Sequence, residues 1–309
     1  MVSTFTHPAR GEDLPVTTTS QAVAPDRDAS PSPTRYAAEE SERSAVVLEP
    51  RHLRVTYGRG ANAVTAIGDI SFQVRAGEFV SVVGPSGCGK TTLLKALSGL
   101  LTATSGEVLV NGQVAHGVSP GLAMVFQEYT RSLLPWQSVR GNVEFPLRGA
   151  GRRRKEIAER TREALEQVGL QDFGDKYPWQ LSGGMQQRVA IARALAFRPT
   201  VLLMDEPFAS LDAQTRADLE DLLMRVHAET GMTIVFVTHD IDEAVYLGDR
   251  VIVLSHRPTE VKQVLGVDIA RPRDQVRTKA DPRFVALRTE VLELILAEKS
   301  TQQDQGHLD

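Results

Sequence analysis

The sequence predicts an α/β protein with a parallel sheet at its centre, antiparallel strands ahead of it and helices inserted within it, on three observations. Thr200 to Met204 and Thr233 to Val237 are almost continuously apolar, as strands covered on both faces are. Phe79 to Val83 passes through a glycine-rich turn into an apolar helix, Thr92 to Leu97, the strand–turn–helix order of an α/β unit. The stretch from about 128 to 182 reads mainly as helix, with Ile157, Ala164, Leu165 and Val168 striping Arg152 to Val168.

Residues 1–44 are crowded with Ser, Thr, Pro, Asp and Glu and hold no periodic apolar pattern, which predicts a disordered tail. They offer neither the basic start nor the apolar core of a signal peptide, so the chain is expected to stay in the cytosol, and a dispensable extension is favoured over a targeting element. β-rich runs follow at Val46 to Leu48, Leu53 to Tyr57, Ile70 to Val74 and Val108 to Val110. Ala76-Gly77-Glu78 and Asn111-Gly112 between them suggest hairpins. The sheet and its helical insertion are expected to occupy residues 45–266. Beyond Val267, Ala270-Arg271-Pro272-Arg273 leads to Phe284, Leu287, Val291, Leu294 and Ile295 at helical spacing. This predicts an extension over 267–299 with an amphipathic helix docked on the domain, and a flexible tail at 300–309. There is no internal repeat, which argues against a tandem duplication.

Composition narrows the function. The chain has 309 residues, 41% hydrophobic and 24% charged, with 35 basic against 39 acidic side chains and a formal charge of −4. Such a balance gives no general reason to expect a nucleic-acid binder. The single cysteine, Cys88, excludes an intramolecular disulfide and a cysteine zinc cluster. No apolar run approaches the roughly 20 residues that cross a bilayer.

Gly84-Pro85-Ser86-Gly87-Cys88-Gly89-Lys90-Thr91 satisfies G-x-x-x-x-G-K-[ST] between a strand and a helix, the context in which that pattern binds phosphate. Its glycines let backbone N–H groups converge on phosphate oxygens, and the helix start adds its positive dipole end. Lys90 is expected to reach the β- and γ-phosphates, Thr91 to ligate Mg²⁺, and Thr92 to complete the binding stretch. Cys88 sits where a helix N-terminus lowers a thiol pKa, but the sequence names no base for it. It reads as a small loop filler, with oxidation sensitivity a secondary expectation.

Val201-Leu202-Leu203-Met204-Asp205-Glu206-Pro207 is an apolar strand ending in two carboxylates, where α/β sheets place their ligands. Asp205 suits Mg²⁺, and Glu206 suits a base that activates water. Between the two sites stands Leu181-Ser182-Gly183-Gly184-Met185-Gln186-Gln187-Arg188, a second helix start with a hydroxyl and two glycines. One nucleotide has no need of two such anion sites in one chain.

With that segment, the sequence resembles the ATP-binding-cassette ATPases, a branch of the P-loop NTPases, over about Val46 to Leu265. The resemblance implies that Ser182, Gly183 and Gly184 cap the γ-phosphate of ATP held by an opposite copy, so that a homodimer sandwiches two ATP molecules. It likewise implies that Gln127 touches Mg²⁺ and senses the γ-phosphate, that His239 positions phosphate and water, that Asp212 communicates across the dimer, and that Tyr57 stacks on adenine.

Arg131-Ser132-Leu133-Leu134-Pro135-Trp136, with Val139, Asn142-Val143 and Phe145-Pro146 after it, reads equally as core or as a docking surface. Its wording resembles the importer ATPases of the nitrate, sulfonate and taurine group, as does Ala270-Arg271-Pro272-Arg273. That resemblance implies a peripheral subunit at the cytoplasmic face of the membrane, working with a separate permease and, through it, a solute-binding protein. The alternative is a cassette ATPase doing mechanical or regulatory work on nucleic acid or ribosomes, which usually carries a second cassette or a long coiled coil. A P-loop kinase has no use for the Leu-Ser-Gly-Gly segment. The basic run Arg152 to Lys155 is expected to be a solvated helix start rather than a lipid contact.

Overall fold

The structure, a computed structural model, describes residues 45–128 and 132–305. The predicted tail at 1–44 lies outside them, as does Arg131.

Among the described residues eleven strands form one continuous sheet. Its centre is parallel, in the order β10 (Arg250–Leu254), β4 (Phe79–Val83), β9 (Thr233–Val237), β8 (Val201–Asp205) and β7 (Leu122–Val125). Every residue of β4, β8 and β9 is buried, as their apolar runs predict. Side chains alternate between two cores: Phe79 and Val83 point to one, Val80 and Val82 to the other. The first core is covered by helices. The second is closed by α1 (Lys90–Leu97) and by the antiparallel strands β1 (Val46–Tyr57), β2 (Val64–Ile70) and β5 (Ser105–Val110).

Several local expectations differ from the outcome. The two runs 46–48 and 53–57 are one strand, because a bulge bridges them: His52 takes φ 46° and the register with β5 shifts between Arg51 and Arg54. Gly106 faces that bulge, where a Cβ would come within 2.2 Å of the His52 carbonyl oxygen. The expected strand 70–74 is instead the end of β2 and the short β3 (Val74–Arg75), with Val64 to Asp69 unrecognised beforehand because Gly68 and Asp69 interrupt its alternation. Ala76-Gly77-Glu78 is a turn but no hairpin, since β3 pairs with β1 and β4 lies among parallel neighbours. Asn111-Gly112 does make a hairpin between β5 and β6 (Gln113–Val114), with φ of 51° and 73°, the positive pair that a type I′ turn demands.

The insertion contains α2 (Val139–Gly149) and α3 (Arg154–Gln167), packed on α4 (Gly183–Phe197) through Val143, Leu147, Ile157, Leu165 and Ile191. Arg152 and Arg160 both pair with Glu156, and the run Arg152 to Lys155 is exposed, in keeping with a solvated helix start. Then come α5 (Ala213–Thr230), α6 (Ile241–Leu247) and α7 (Pro282–Gln305). Phe284, Val291 and Ile295 bury the predicted face of α7, and helical backbone reaches Gln305, into the stretch expected as a tail.

Arg271 and Arg273 explain the segment before α7. Arg273 is buried and donates to the carbonyls of Tyr246 (2.7 Å), Gly248 (2.8 Å) and Val245 (3.2 Å), while Arg271 donates to Leu247 (2.7 Å). Together they satisfy the orphan carbonyls at the C-terminal end of α6. Burial brings the Arg273 guanidinium down to about 10.

Candidate functional site

The phosphate loop is shaped by what lies behind it. Gly87 (φ 75°) and Gly89 (φ 120°) take left-handed backbone that a side chain would strain. A Cβ on Gly84 would stand 3.0 Å from Leu254 and 3.1 Å from the Cys88 sulfur. Cys88 is 2% exposed and fills the loop, and burial pushes its thiol pKa up, against the lowering a helix start would give. Pro85 is buried, whereas Ser86 and Gly87 form the exposed rim. Lys90 is buried, and its Nζ donates to the carbonyls of Gly84 (3.0 Å) and Pro85 (3.3 Å). On the open side Tyr57 is 46% exposed, with its hydroxyl 3.3 Å from the hydroxyl of Thr92.

The carboxylates meet this loop at the end of β8. Asp205 is 3% exposed, and its Oδ1 accepts from the Thr91 hydroxyl at 3.3 Å. Burial raises its pKa, opposed by that bond. Glu206 turns out of the strand with φ 42°, a backbone strained for a non-glycine residue. Its Oε2 accepts from Gln127 Nε2 (3.2 Å) and lies 2.9 Å from His239 Nδ1. Its Oε1 lies 3.9 Å from the Lys90 ammonium. A charged carboxylate only accepts, so opposite an ionised Glu206 the His239 Nδ1 is the donor of that contact. Gln127 follows β7, and His239 lies between β9 and α6, so the ends of three adjacent strands deliver the cluster.

Ser182, Gly183, Gly184 and Asp212 are held on other elements. Ser182 caps α4, accepting from the Met185 amide at 3.3 Å, and is exposed with Gly183. Asp212 caps α5, accepting from the Thr215 amide (3.0 Å) and hydroxyl (2.7 Å), donors that hold its carboxyl below the usual range. Two residues of this neighbourhood escaped the sequence reading. Thr259 is buried behind the phosphate loop and donates to the Cys88 carbonyl. Thr215 lies against Gly184, and only its spacing of three from a capping Asp hints at it.

The docking-or-core question for the segment after Gln127 divides by residue. Leu133, Val139 and Val143 are core, and Asn142 is buried, donating to the carbonyls of Leu134, Gln137 and Ser138 and accepting from the Leu134 amide. Trp136 and Phe145 are 70% and 56% exposed. Phe145 lines a cleft of about 310 Å³ with Met124, Pro146, Arg193 and Phe197, between β7 and the inserted helices.

Comparison with known proteins fits this geometry. The ABC transporter family matches residues 67–209. The chain is 44% identical to the nitrate import ATP-binding protein NrtD of Synechococcus elongatus, over 74% of this chain and 84% of that one. It is 43% identical to the taurine import ATP-binding protein TauB of a Jannaschia species, over 75% of this chain and 87% of that one. Among solved structures, the ATP-binding cassette MJ0796, a dimer in a post-hydrolysis state bound to ADP and Pi, superposes with a TM-score of 0.62 at 34% identity, over 72% of this chain and all of that one. A strand-ending phosphate loop, a carboxylate pair beside it and a separate serine–glycine helix start thus occur together in a chain of this likeness: it belongs to the ATP-binding proteins of ABC transporters and is an ATPase.

Proposed function

We propose that two copies of this chain close head to tail over two ATP molecules and that their hydrolysis powers uptake of a small anionic nutrient through a separate permease. The observation that carries the chemical reading is the convergence of Lys90, Gln127 and His239 on Glu206, beside the Thr91–Asp205 pair. In this reading the loop from Gly84 to Thr92 wraps the triphosphate, its backbone N–H groups other than at Pro85 and the Lys90 ammonium donating to phosphate oxygens, and Tyr57 stacks on the base. Lys90 exchanges its two loop carbonyls for phosphate oxygens. Glu206 Oε1 accepts a proton from water as that water attacks the γ-phosphorus; the bond from phosphorus to the β–γ bridging oxygen breaks, and ADP leaves with its electron pair. His239 orients Glu206 and the water, and Gln127 reports whether the γ-phosphate is present. Ser182, Gly183, Gly184 and Asp212 serve the nucleotide of the other copy.

Thr91 and Asp205 fit Mg²⁺: a hydroxyl and a carboxylate are hard oxygen donors, already 3.3 Å apart beside the phosphate loop. When bound, the cation would neutralise charge developing on the β- and γ-phosphates. Among the described residues no cluster of three His, Cys, Asp or Glu offers a site complete without phosphate.

Transport rests on a different observation. The cleft beside exposed Phe145 is largely apolar and adjoins the strand that leads to Gln127, so a helix of a permease seated there would feel the nucleotide state. Among the described residues no helix is long and apolar enough to cross a membrane, so passage of solute needs another subunit. Nitrate and taurine in the relatives' names suggest a small oxyanion or sulfonate as solute; in this reading the chain works at the cytoplasmic face of the membrane, beside the permease.

Replacing Glu206 by Gln is expected to cut ATP turnover by about 10²–10⁴-fold while ATP still binds. In a deletion strain carrying that variant, uptake of labelled nitrate, taurine or an alkanesulfonate should fall with it. Normal turnover would remove Glu206 from the role of base; lost turnover with unchanged uptake of all three solutes would overturn the transport assignment.

A further inference from the structure

Thr215, on the first turn of α5, touches two loops at once. Its methyl occupies the space above Gly184, where a Cβ on that glycine would come within 2.4 Å of the Thr215 Cγ2. Its hydroxyl donates to Asp212 Oδ2 at 2.7 Å, while its amide separately donates to Oδ1 at 3.0 Å. Only the amide bond is needed to cap the helix. The hydroxyl bond fixes the second carboxylate oxygen and with it the plane of the Asp212 side chain. The neighbouring residue extends the link inward: Arg216 donates to the Leu211 carbonyl (3.4 Å) and to Asp240 Oδ2 (3.1 Å), and lies 3.5 Å from Glu243 Oε1. Asp240 directly follows His239, and Glu243 accepts from the Thr238 hydroxyl directly before it.

We infer that Thr215 is a positioning residue for the closed dimer: it holds the helix start at Ser182–Gly184 and the carboxylate of Asp212 as one unit, which Arg216 ties to the loop of His239. The inference rests on the reading that Ser182–Gly184 and Asp212 serve the nucleotide of a second copy. If so, the two groups must meet that copy together, and their spacing is set by one β-branched side chain that fills a glycine-lined gap while bonding a carboxylate. Valine keeps the branched shape and the capping amide but removes the hydroxyl; serine keeps the hydroxyl but removes the methyl.

The test uses the full chain in a Glu206→Gln background, which should accumulate the ATP-bound dimer. Sedimentation at saturating ATP gives the protein concentration at which half the chains are dimeric, and a fluorescent ATP analogue at protein concentrations well below that point gives affinity for the single copy. Adding Thr215→Val should raise the half-dimer concentration about tenfold, because the Asp212 carboxylate of each copy loses the bond that fixes its plane for the partner, with single-copy affinity and Tm unchanged. Thr215→Ser should return it to within about threefold of the parent. A valine variant that dimerises like its parent overturns the inference, as does one whose weaker dimerisation is matched by lost single-copy affinity or a lowered Tm, since that marks a merely structural role. A Glu206→Gln parent that stays monomeric with ATP instead overturns the two-copy reading, and the inference with it.

Discussion

At Gly184 one missing carbon decides what the helix start can contact. Alanine there would drive a Cβ into the methyl of Thr215, a branched side chain with no free rotation away from the contact. Hydrolysis by Gly184→Ala is therefore expected to fall about tenfold or more at saturating ATP, with affinity of the single copy for a fluorescent ATP analogue unchanged. Equal losses in both would place the glycine in the folding of α4 instead. At this scale the motif residues were legible because their spacing is imposed by phosphate geometry, which a sequence pattern records directly. What was not legible is how they partner one another. That Lys90 turns back onto the carbonyls of Gly84 and Pro85 depends on how one short loop coils, and that one oxygen of Glu206 serves both Gln127 and His239 depends on strands brought together from distant parts of the chain. Cys88 was legible as a loop filler, but that burial raises its thiol pKa where a helix start would lower it depends on the packing behind the loop.

Among the elements, α6 links His239, beside Glu206, to the C-terminal extension. Asp240 caps its start, accepting from the amides of Asp242 and Glu243, and Arg271 and Arg273 close its end. Within it, burial raises the Glu243 carboxyl to about 7, opposed by the Thr238 hydroxyl. The folded chain thus retains a proton that the unfolded chain, with an ordinary value of 4.5, releases earlier. Between those values the folded state binds more protons, so stability falls as pH rises through that window and levels off above it. Thermal unfolding between about pH 5 and pH 8 should show Glu243→Gln losing less Tm than the parent as pH rises; parallel curves would mean the carboxyl is not protonated in the folded chain. The apolar runs of β4, β8 and β9 announced themselves because burial on both faces removes alternation. The bulge in β1 did not, since a single left-handed His52 opposite Gly106 is a matter of pairing rather than of composition. For the same reason the Leu-Leu-Pro-Trp segment resisted assignment: Leu133 packs inward and Trp136 outward from one short turn.

Taken whole, the molecule sets its ligand-facing groups at the ends of parallel strands and keeps Ser182–Gly184 on a helix packed with the insertion. The Lys90–Glu206 cluster and the Asp212–Thr215 cap make their hydrogen bonds separately, on different elements. In the proposed reading a triphosphate on the phosphate loop has one face toward Lys90 and the other toward a second copy, whose Ser182–Gly184 helix start closes over it. The sequence conveyed both halves, since each is a local motif; the need for two copies came from their redundancy, and the solved dimers of related cassettes accord with it. On the proposed mechanism each ATP is hydrolysed only when a second copy completes its site. The rate of phosphate release per chain, measured across a dilution series at saturating ATP, tests this most directly. It should fall steeply with dilution, approaching second-order dependence of total rate on protein concentration; a rate per chain that stays constant down to concentrations where sedimentation finds only single copies would contradict it.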